Sequence, residues 1–330
     1  MQKIILKENL NELIKTWIKK YEIIAPVKES KISRFKKINS PNEIYNCLLT
    51  DIPAKTHFIP EGETLLEHKD KKTIEIEGKI KKTILFGLRK CDLNAIQVVD
   101  KVMFDKNYIN KRKNTTLVGF FCENPDKYCF CNSMELQDFY DLYFYPQGKN
   151  YIISIGSKKG EQLVKNLPEL KKEIKIPNPK NFKKLNTLDI EKYYKDERWK
   201  GDVRKCLSCT ACTAYCPTCN CFDIKELINS DIKTIQSKRF HSSCMSKNFS
   251  LVAGGKSFRD SRTSRFKHFV FHKVLYFKKQ KGRPMCIGCG RCLRVCPTKI
   301  DWVNTINKMN RKPLFNFSRF SFKKLKETNK

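Results

Sequence analysis

The chain's fold is constrained most by a repeated cysteine motif, CLSCTACTAYCP beginning at Cys206 and CIGCGRCLRVCP beginning at Cys286. Both copies read C-x2-C-x2-C-x3-C-P. In two-cluster ferredoxins this spacing wraps three thiolates around one cubane while the fourth cysteine ligates the other cluster. The proline then stops the short helical turn. The pattern assigns Cys206, Cys209, Cys212 and Cys296 to one [4Fe–4S] cluster, and Cys286, Cys289, Cys292 and Cys216 to a second. Zinc hooks also use C-x2-C pairs, but a tetrahedral zinc site needs two such pairs, not a third cysteine and a fourth before proline twice over.

The 330 residues include sixteen cysteines but present no uninterrupted apolar core of the kind a signal peptide or membrane span requires. The expectation is a cytoplasmic protein with reduced thiols rather than a disulfide scaffold. With 67 Lys and Arg against 34 Asp and Glu, the formal net charge is +33. The lysines are dispersed, which fits a compositional bias first, an acidic redox partner second and nucleic acid last. A basic nucleic-acid-binding protein with metal hooks is the competing class.

Fold class reads as α+β, an N-terminal α/β domain over 1–185 followed by a two-cluster ferredoxin-like domain over 186–330. Residues 8–21 show helical spacing and 23–27 a strand. Pro41 and Asn42 introduce a second short helix, EIYNCLLT, with Cys47 as a core thiol. TILFGL (83–88), then LNAIQVVDKVMF with Asp92 as N-cap, then TTLVGFFC (115–122) form a β-α-β crossover. DLYFY and NYIISI bracket PQGK as a hairpin, SKKGEQLVKNL starts a helix, and the Lys-rich stretch 171–185 is a linker.

An insertion, 222–283, separates the two motifs, and a basic aromatic tail, 302–330, carries Phe315, Phe317, Phe320 and Phe322. Arg259, Arg262, Arg265 and Lys267 lie close in sequence, as on a solvated face or a docking surface. AGGKS resembles the end of a P-loop, but Ser250 stands where the first glycine belongs, and no G-x-G-x-x-G follows a strand. Flavin and pyridine nucleotide are therefore expected on another subunit.

Cys91, Cys122, Cys129 and Cys131 fall at strand ends, where α/β folds build sites. Their spacing leaves open a third cubane, a zinc site or buried thiols. Cys219, Cys221 and Cys244, with His241 near, form another group, read as structural thiols.

Taken together, GLRKCDLNAIQVVDKV (87–102), CENPDKYCFC (122–131), KCLSCTACTAYCPTCNCFD (205–223), HSSC (241–244), AGGKSFRDSRTSRFKHFVFHK (253–273) and CIGCGRCLRVCPTKID (286–301) resemble the beta subunit of cytoplasmic nickel–iron hydrogenases (sulfhydrogenases), which is similar to the iron–sulfur subunit of anaerobic sulfite reductase. The resemblance implies an electron-transfer protein, with no catalytic residue of its own, working between a partner that bears flavin and binds NAD(P) and a catalytic partner with nickel–iron or siroheme. It also favours a third cluster at Cys91, Cys122, Cys129 and Cys131. Thr210 departs from the glycine expected there, and the lysine content departs from the family.

Overall fold

The computed structural model describes residues 1–78, 81–186, 190–230 and 233–309. Two sheets organise them. The larger has seven strands: β1 (Gln2–Leu6), β2 (Glu22–Glu29), β3 (Ile32–Ile38), β6 (Thr83–Leu88), β7 (Thr115–Phe120), β8 (Leu142–Gln147) and β9 (Asn150–Ile155), in the order β1-β9-β8-β7-β6-β2-β3. Its centre, β2-β6-β7-β8, is parallel, and the flanking pairs are antiparallel. Buried on both faces, the central strands read as continuous apolar runs. Ile84, Leu85, Val118 and Phe144 have at most 1% of their surface exposed.

The helix Leu10–Ile18, the β6–β7 crossover and the β8–β9 hairpin match their sequence expectations. Two local expectations fail. No helix forms over 44–50: a 3-10 turn, Pro41–Glu43, capped by Ser40, is followed by extended chain. The reason is tertiary, because the carbonyls that helix would use are taken by distant arginines. Cys47 O and Leu48 O accept from Arg89, and Thr50 O accepts from Arg291. Asp92, in turn, is not the N-cap of its helix. The helix spans Lys90–Val99 with Arg89 at the cap, and Asp92 accepts the Arg89 amide from the third position.

The smaller sheet, order β10-β11-β4-β5, is antiparallel and built from β4 (Glu63–Lys69), β5 (Lys72–Glu75), β10 (Phe222–Ile228) and β11 (Ile235–His241). Its strands come from both sides of the 185/186 division. β11, from the insertion, pairs with β4, and a buried Arg239 bridges this seam to Glu63 and to Asp105, 2.8 Å away. The 171–185 stretch has no regular structure but is held in place. Asn181 Oδ1 accepts from the Asn132 amide at 2.7 Å.

The insertion then runs through a helix, Arg262–Phe271, into a π-helical turn, His272–Tyr276. Such turns recur at functional sites. Arg265 is buried and donates to three backbone carbonyls, those of Met245, Arg259 and Asp260, so that arginine is structural. The start of the tail is also more ordered than its composition suggests. Trp302–Met309 is an amphipathic helix burying Trp302, Val303, Ile306 and Met309 in the cysteine-rich core. Phe315, Phe317, Phe320 and Phe322 lie outside the described residues. Among the described residues no helix is long and apolar enough to cross a membrane.

Candidate metal centres

The two motifs fold as near copies. Each starts in extended backbone, makes two left-handed residues and enters a one-turn helix, Ala211–Ala214 in the first and Arg291–Val295 in the second. Ser208 and Gly288 sit at φ 54° and 66°, Thr210 and Gly290 at 62° and 72°. The residue two past the first cysteine turns its amide back onto that sulfur. Ser208 N donates to Cys206 Sγ and Gly288 N to Cys286 Sγ, both at 3.4 Å. The CPT ends also match, since Thr218 and Thr298 hydroxyls lie 3.3 and 3.5 Å from Cys216 and Cys296 sulfurs.

Glycine is needed in only one copy, for a packing reason. A Cβ on Gly288 would stand 2.6 Å from the Cys131 backbone, and one on Gly290 would stand 2.5 Å from the Tyr128 carbonyl oxygen. The loop carrying Cys129 and Cys131 therefore rests directly on the second motif. The first motif faces outward, with Cys209 and Leu207 exposed, so Ser208 and Thr210 meet no such wall.

The motif thiols lie close together, some around one cavity and some buried beside it. Cys206, Cys209, Cys212, Cys292 and Cys296 all line one apolar cavity with Met245, Phe266, Phe269 and Trp302. Beside it, burial pushes the Cys286 thiol up to about 12, with the Cys289 and Cys216 thiols adding to the rise. Burial also raises Cys289 and Cys292, and Cys216 again adds to both. Cys216 adjoins the second motif's thiols and also Cys212, whose thiol burial raises to about 12 with contributions from Cys206 and Cys216.

This donor set fits iron–sulfur clusters. Among the described residues no three His, Cys, Asp or Glu side chains gather closely enough for a single metal ion, whereas a cubane takes one thiolate per iron and spreads its ligands. Ser208 Oγ is buried in the site without a partner among the described residues, and Trp302 Nε1 faces the Cys292 thiol. Anionic cluster sulfur is an acceptor of the kind such donors need.

The structure also brings Cys91, Cys122, Cys129 and Cys131 together at the carboxyl ends of β6 and β7. Burial raises Cys122 to about 11, with Cys131 adding, and it raises Cys91 and Cys129, each with contributions from Cys131 and Cys289. This group abuts the second motif, for Cys129 Sγ lies 3.5 Å from the Cys289 carbonyl oxygen. A fully buried ion pair crosses the same boundary. Arg291 Nη1 donates to Asp92 Oδ1 at 2.8 Å, with exposures of 0% and 3%, and Arg291 also bonds Thr50 O and Oγ1. Asp92 follows Cys91 in sequence, and Arg291 precedes Cys292.

Sequence reasoning overlooked Lys55 and Lys273. Both are buried, and both face cysteines; the Lys273 ammonium is held well above its ordinary range by Cys216, Cys219 and Cys286 in spite of burial. Nothing in their local sequence distinguishes them from the other lysines. His241 pairs across the sheet with Phe222, next to Cys221, and its ring lies 3.7 Å from Glu61. Cys47 sits apart, lining a cavity with Arg89 and Phe121.

Residues 205–300 match the 4Fe-4S dicluster domain family. Over 311 residues, 87% of this chain and 92% of the other, the sequence is 29% identical to sulfhydrogenase 2 subunit beta of Pyrococcus furiosus. No solved structure matches. The chain is thus an iron–sulfur protein with a 4Fe-4S dicluster domain, and over most of its length it resembles a sulfhydrogenase beta subunit, as its motifs led us to expect.

Proposed function

We propose that this chain relays electrons inside a cytoplasmic, anaerobic oxidoreductase, between a partner that bears flavin and binds NAD(P) and a catalytic partner of the nickel–iron type. The observation that carries this reading is the continuous succession of thiol groups. Cys91, Cys122, Cys129 and Cys131 abut Cys286, Cys289, Cys292 and Cys216, which adjoin Cys206, Cys209, Cys212 and Cys296, and that last set ends at the exposed Cys209. In this reading each set holds one [4Fe–4S] cluster, the first named being a third cluster beyond the dicluster pair. A cubane bound in such a site takes up and gives back single electrons.

The chain's own contribution is environment. Backbone amides of Ser208, Gly288 and Ile300 point at cysteine sulfurs, and the Lys273 ammonium lies beside Cys216. Donors and cations near the sulfur stabilise the more negative, reduced state and raise the potential. Burial of the second motif excludes water, while the exposed Leu207–Cys209 edge offers the first set to a partner's redox group.

The test is anaerobic purification from native cells with metal analysis of the co-purifying complex. Nickel with hydrogen-dependent NAD(P) reduction supports the proposal. Siroheme without nickel would move the chain to anaerobic sulfite reductase, and the absence of both would overturn the partner assignment.

A further inference from the structure

The carboxyl ends of the parallel strands carry a second feature besides the Cys91 group of thiols. β2 pairs with β6 through Glu22, Ile23 and Ile24 and no further. β6 then pairs Phe86 and Leu88 with consecutive residues of β7 and skips Gly87, which bulges at φ 85° where a Cβ would stand 2.9 Å from the Pro26 ring. The chain leaves β2 toward β3 and leaves β6 toward β7, in opposite directions along the sheet. Strands that part in this way open a crevice outside their carboxyl ends, where α/β sheets bind ligands. The helix Leu10–Ile18 borders it, packed with Ile23, Ile84 and Phe86, and the segment 41–47 is tied over it by the Tyr45 amide, which donates to Pro26 O at 2.8 Å.

The crevice is a cavity of about 410 Å³, within the range of small-molecule sites. Its walls include Phe86, Phe120, Phe121, Tyr45 and Tyr151, of which only Phe86 is fully buried. The polar groups are mostly cationic or amide. Arg89 gives three donors to the carbonyls of Cys47, Leu48 and Phe121, at 2.8, 2.9 and 2.6 Å. No carboxylate bonds its guanidinium among the described residues, so its charge stays uncompensated, and two of its five N–H groups lie outside those bonds. Lys7 Nζ stands 5.5 Å from the centre of the Tyr151 ring, and Lys28 Nζ 5.4 Å from that of Tyr45. The one carboxylate in the wall is Glu123, which is exposed. Asn11, Asn42 and Asn46 are exposed in the same wall, and their amides both donate and accept, as the edge of a heterocycle requires.

We infer that this crevice binds a heteroaromatic monophosphate, a flavin or purine mononucleotide, with its ring among the aromatic side chains and its phosphate toward Arg89, Lys7 and Lys28. Aromatic faces stack on heterocycles, and an arginine fork matches phosphate. The volume lies at the lower end for ligand sites, and no glycine-rich dinucleotide loop follows β6, which favours a mononucleotide over a dinucleotide. Phe121 precedes Cys122, and Arg89 stands two residues before Cys91, so the ring binds beside the thiols proposed for the third cluster. The crevice does not need that cluster in order to form.

The experiment is equilibrium dialysis of the full chain, prepared without oxygen, against flavin mononucleotide, adenosine monophosphate, riboflavin and adenosine. One monophosphate should bind, and its phosphate-free counterpart should bind at least about tenfold more weakly. Preference for flavin mononucleotide identifies the ring as a flavin, and preference for adenosine monophosphate identifies it as a purine. Asn46→Trp places an indole in the wall of the crevice and should abolish binding while iron content and unfolding midpoint stay at the parent's values. Glu123→Gln removes the opposing charge and should tighten the monophosphate by about twofold or more. No binding of either monophosphate at about 1 mM, phosphate-free compounds binding as tightly as the monophosphates, or undiminished binding in a folded Asn46→Trp chain would overturn the site. Should Asn46→Trp misfold, Glu123→Gln decides, and an affinity equal to the parent's would refute the assignment.

Discussion

Replacing Gly290 by alanine tests whether the second motif is pinned by the loop that carries Cys129 and Cys131. Gly290 sits at φ 72°, where an L side chain costs about 1–2 kcal/mol. Stiffening of the unfolded chain offsets about 0.4–1 kcal/mol of that. The new Cβ would stand 2.5 Å from Tyr128 O and 2.6 Å from its carbonyl carbon, backbone atoms that cannot swing aside. Such overpacking typically costs about 1–3 kcal/mol, so the net loss should be about 1–5 kcal/mol. The reverse change at the equivalent position, Thr210→Gly, relieves a similar left-handed strain at φ 62° with no wall nearby, and should fall within about 1 kcal/mol of neutral. Anaerobic thermal unfolding should therefore separate the two variants by several degrees. Iron content should separate them as well, because the displaced loop carries Cys129 and Cys131: Gly290→Ala should lose about four irons before the dicluster signals fade. Equal unfolding temperatures and equal iron in the two variants would refute the reasoning.

Three other outcomes are expected. Asp92→Asn leaves the fully buried Arg291 without its carboxylate and should cost about 3–5 kcal/mol in denaturant unfolding, whereas an exposed pair such as Lys200–Glu197 should change stability by less than about 1 kcal/mol when broken. Cys296→Ser should perturb the paramagnetic signal of the cluster assigned to Cys206, Cys209 and Cys212; a change confined to the signal that Cys286→Ser perturbs would refute the crossed ligation. Burial holds His57, His268 and His272 down from 6.5 to about 4, so all three stay neutral in the folded chain while the unfolded chain takes up protons. Stability should thus fall as pH drops from about 6.5 toward about 4, with His57 contributing up to about 3 kcal/mol; a urea midpoint that falls less steeply across that window in His57→Gln than in the parent would assign that share to His57, and a flat midpoint in the parent would refute the reasoning.

The dicluster motif was legible because its chemistry is local: eight thiols at fixed spacing, each spacing set by one loop around one cluster. The central strands were legible because burial on both faces leaves uninterrupted apolar runs such as TILFGL and TTLVGF. Other features escaped because long-range contacts decide them. The stretch after Pro41 has helical spacing, yet Arg89 and Arg291 claim its carbonyls from 41 and 241 residues away. β5 is KTIE, fully exposed and without alternation, so only its pairing with β4 defines it. Lys55 and Lys273 are two lysines among many, and their burial follows from a π-helical turn and a short helix that no local pattern announces.

The sheet shared by β4 and β11 has a consequence for how the protein can be taken apart. Each cysteine motif is contiguous, but the segment joining them is stitched by register, from Ile235 opposite His68 to Arg239 opposite Glu63, onto residues near the start of the chain. A fragment cut at 186 would keep all eight motif cysteines and lose the strand that holds β11, the Asp105 and Glu63 carboxylates that neutralise Arg239, and Lys55. The bare edge of β11 would then be free to pair with another copy. The dicluster half is therefore not a detachable ferredoxin, because its sheet partner and its neutralising carboxylates come from the other half of the chain.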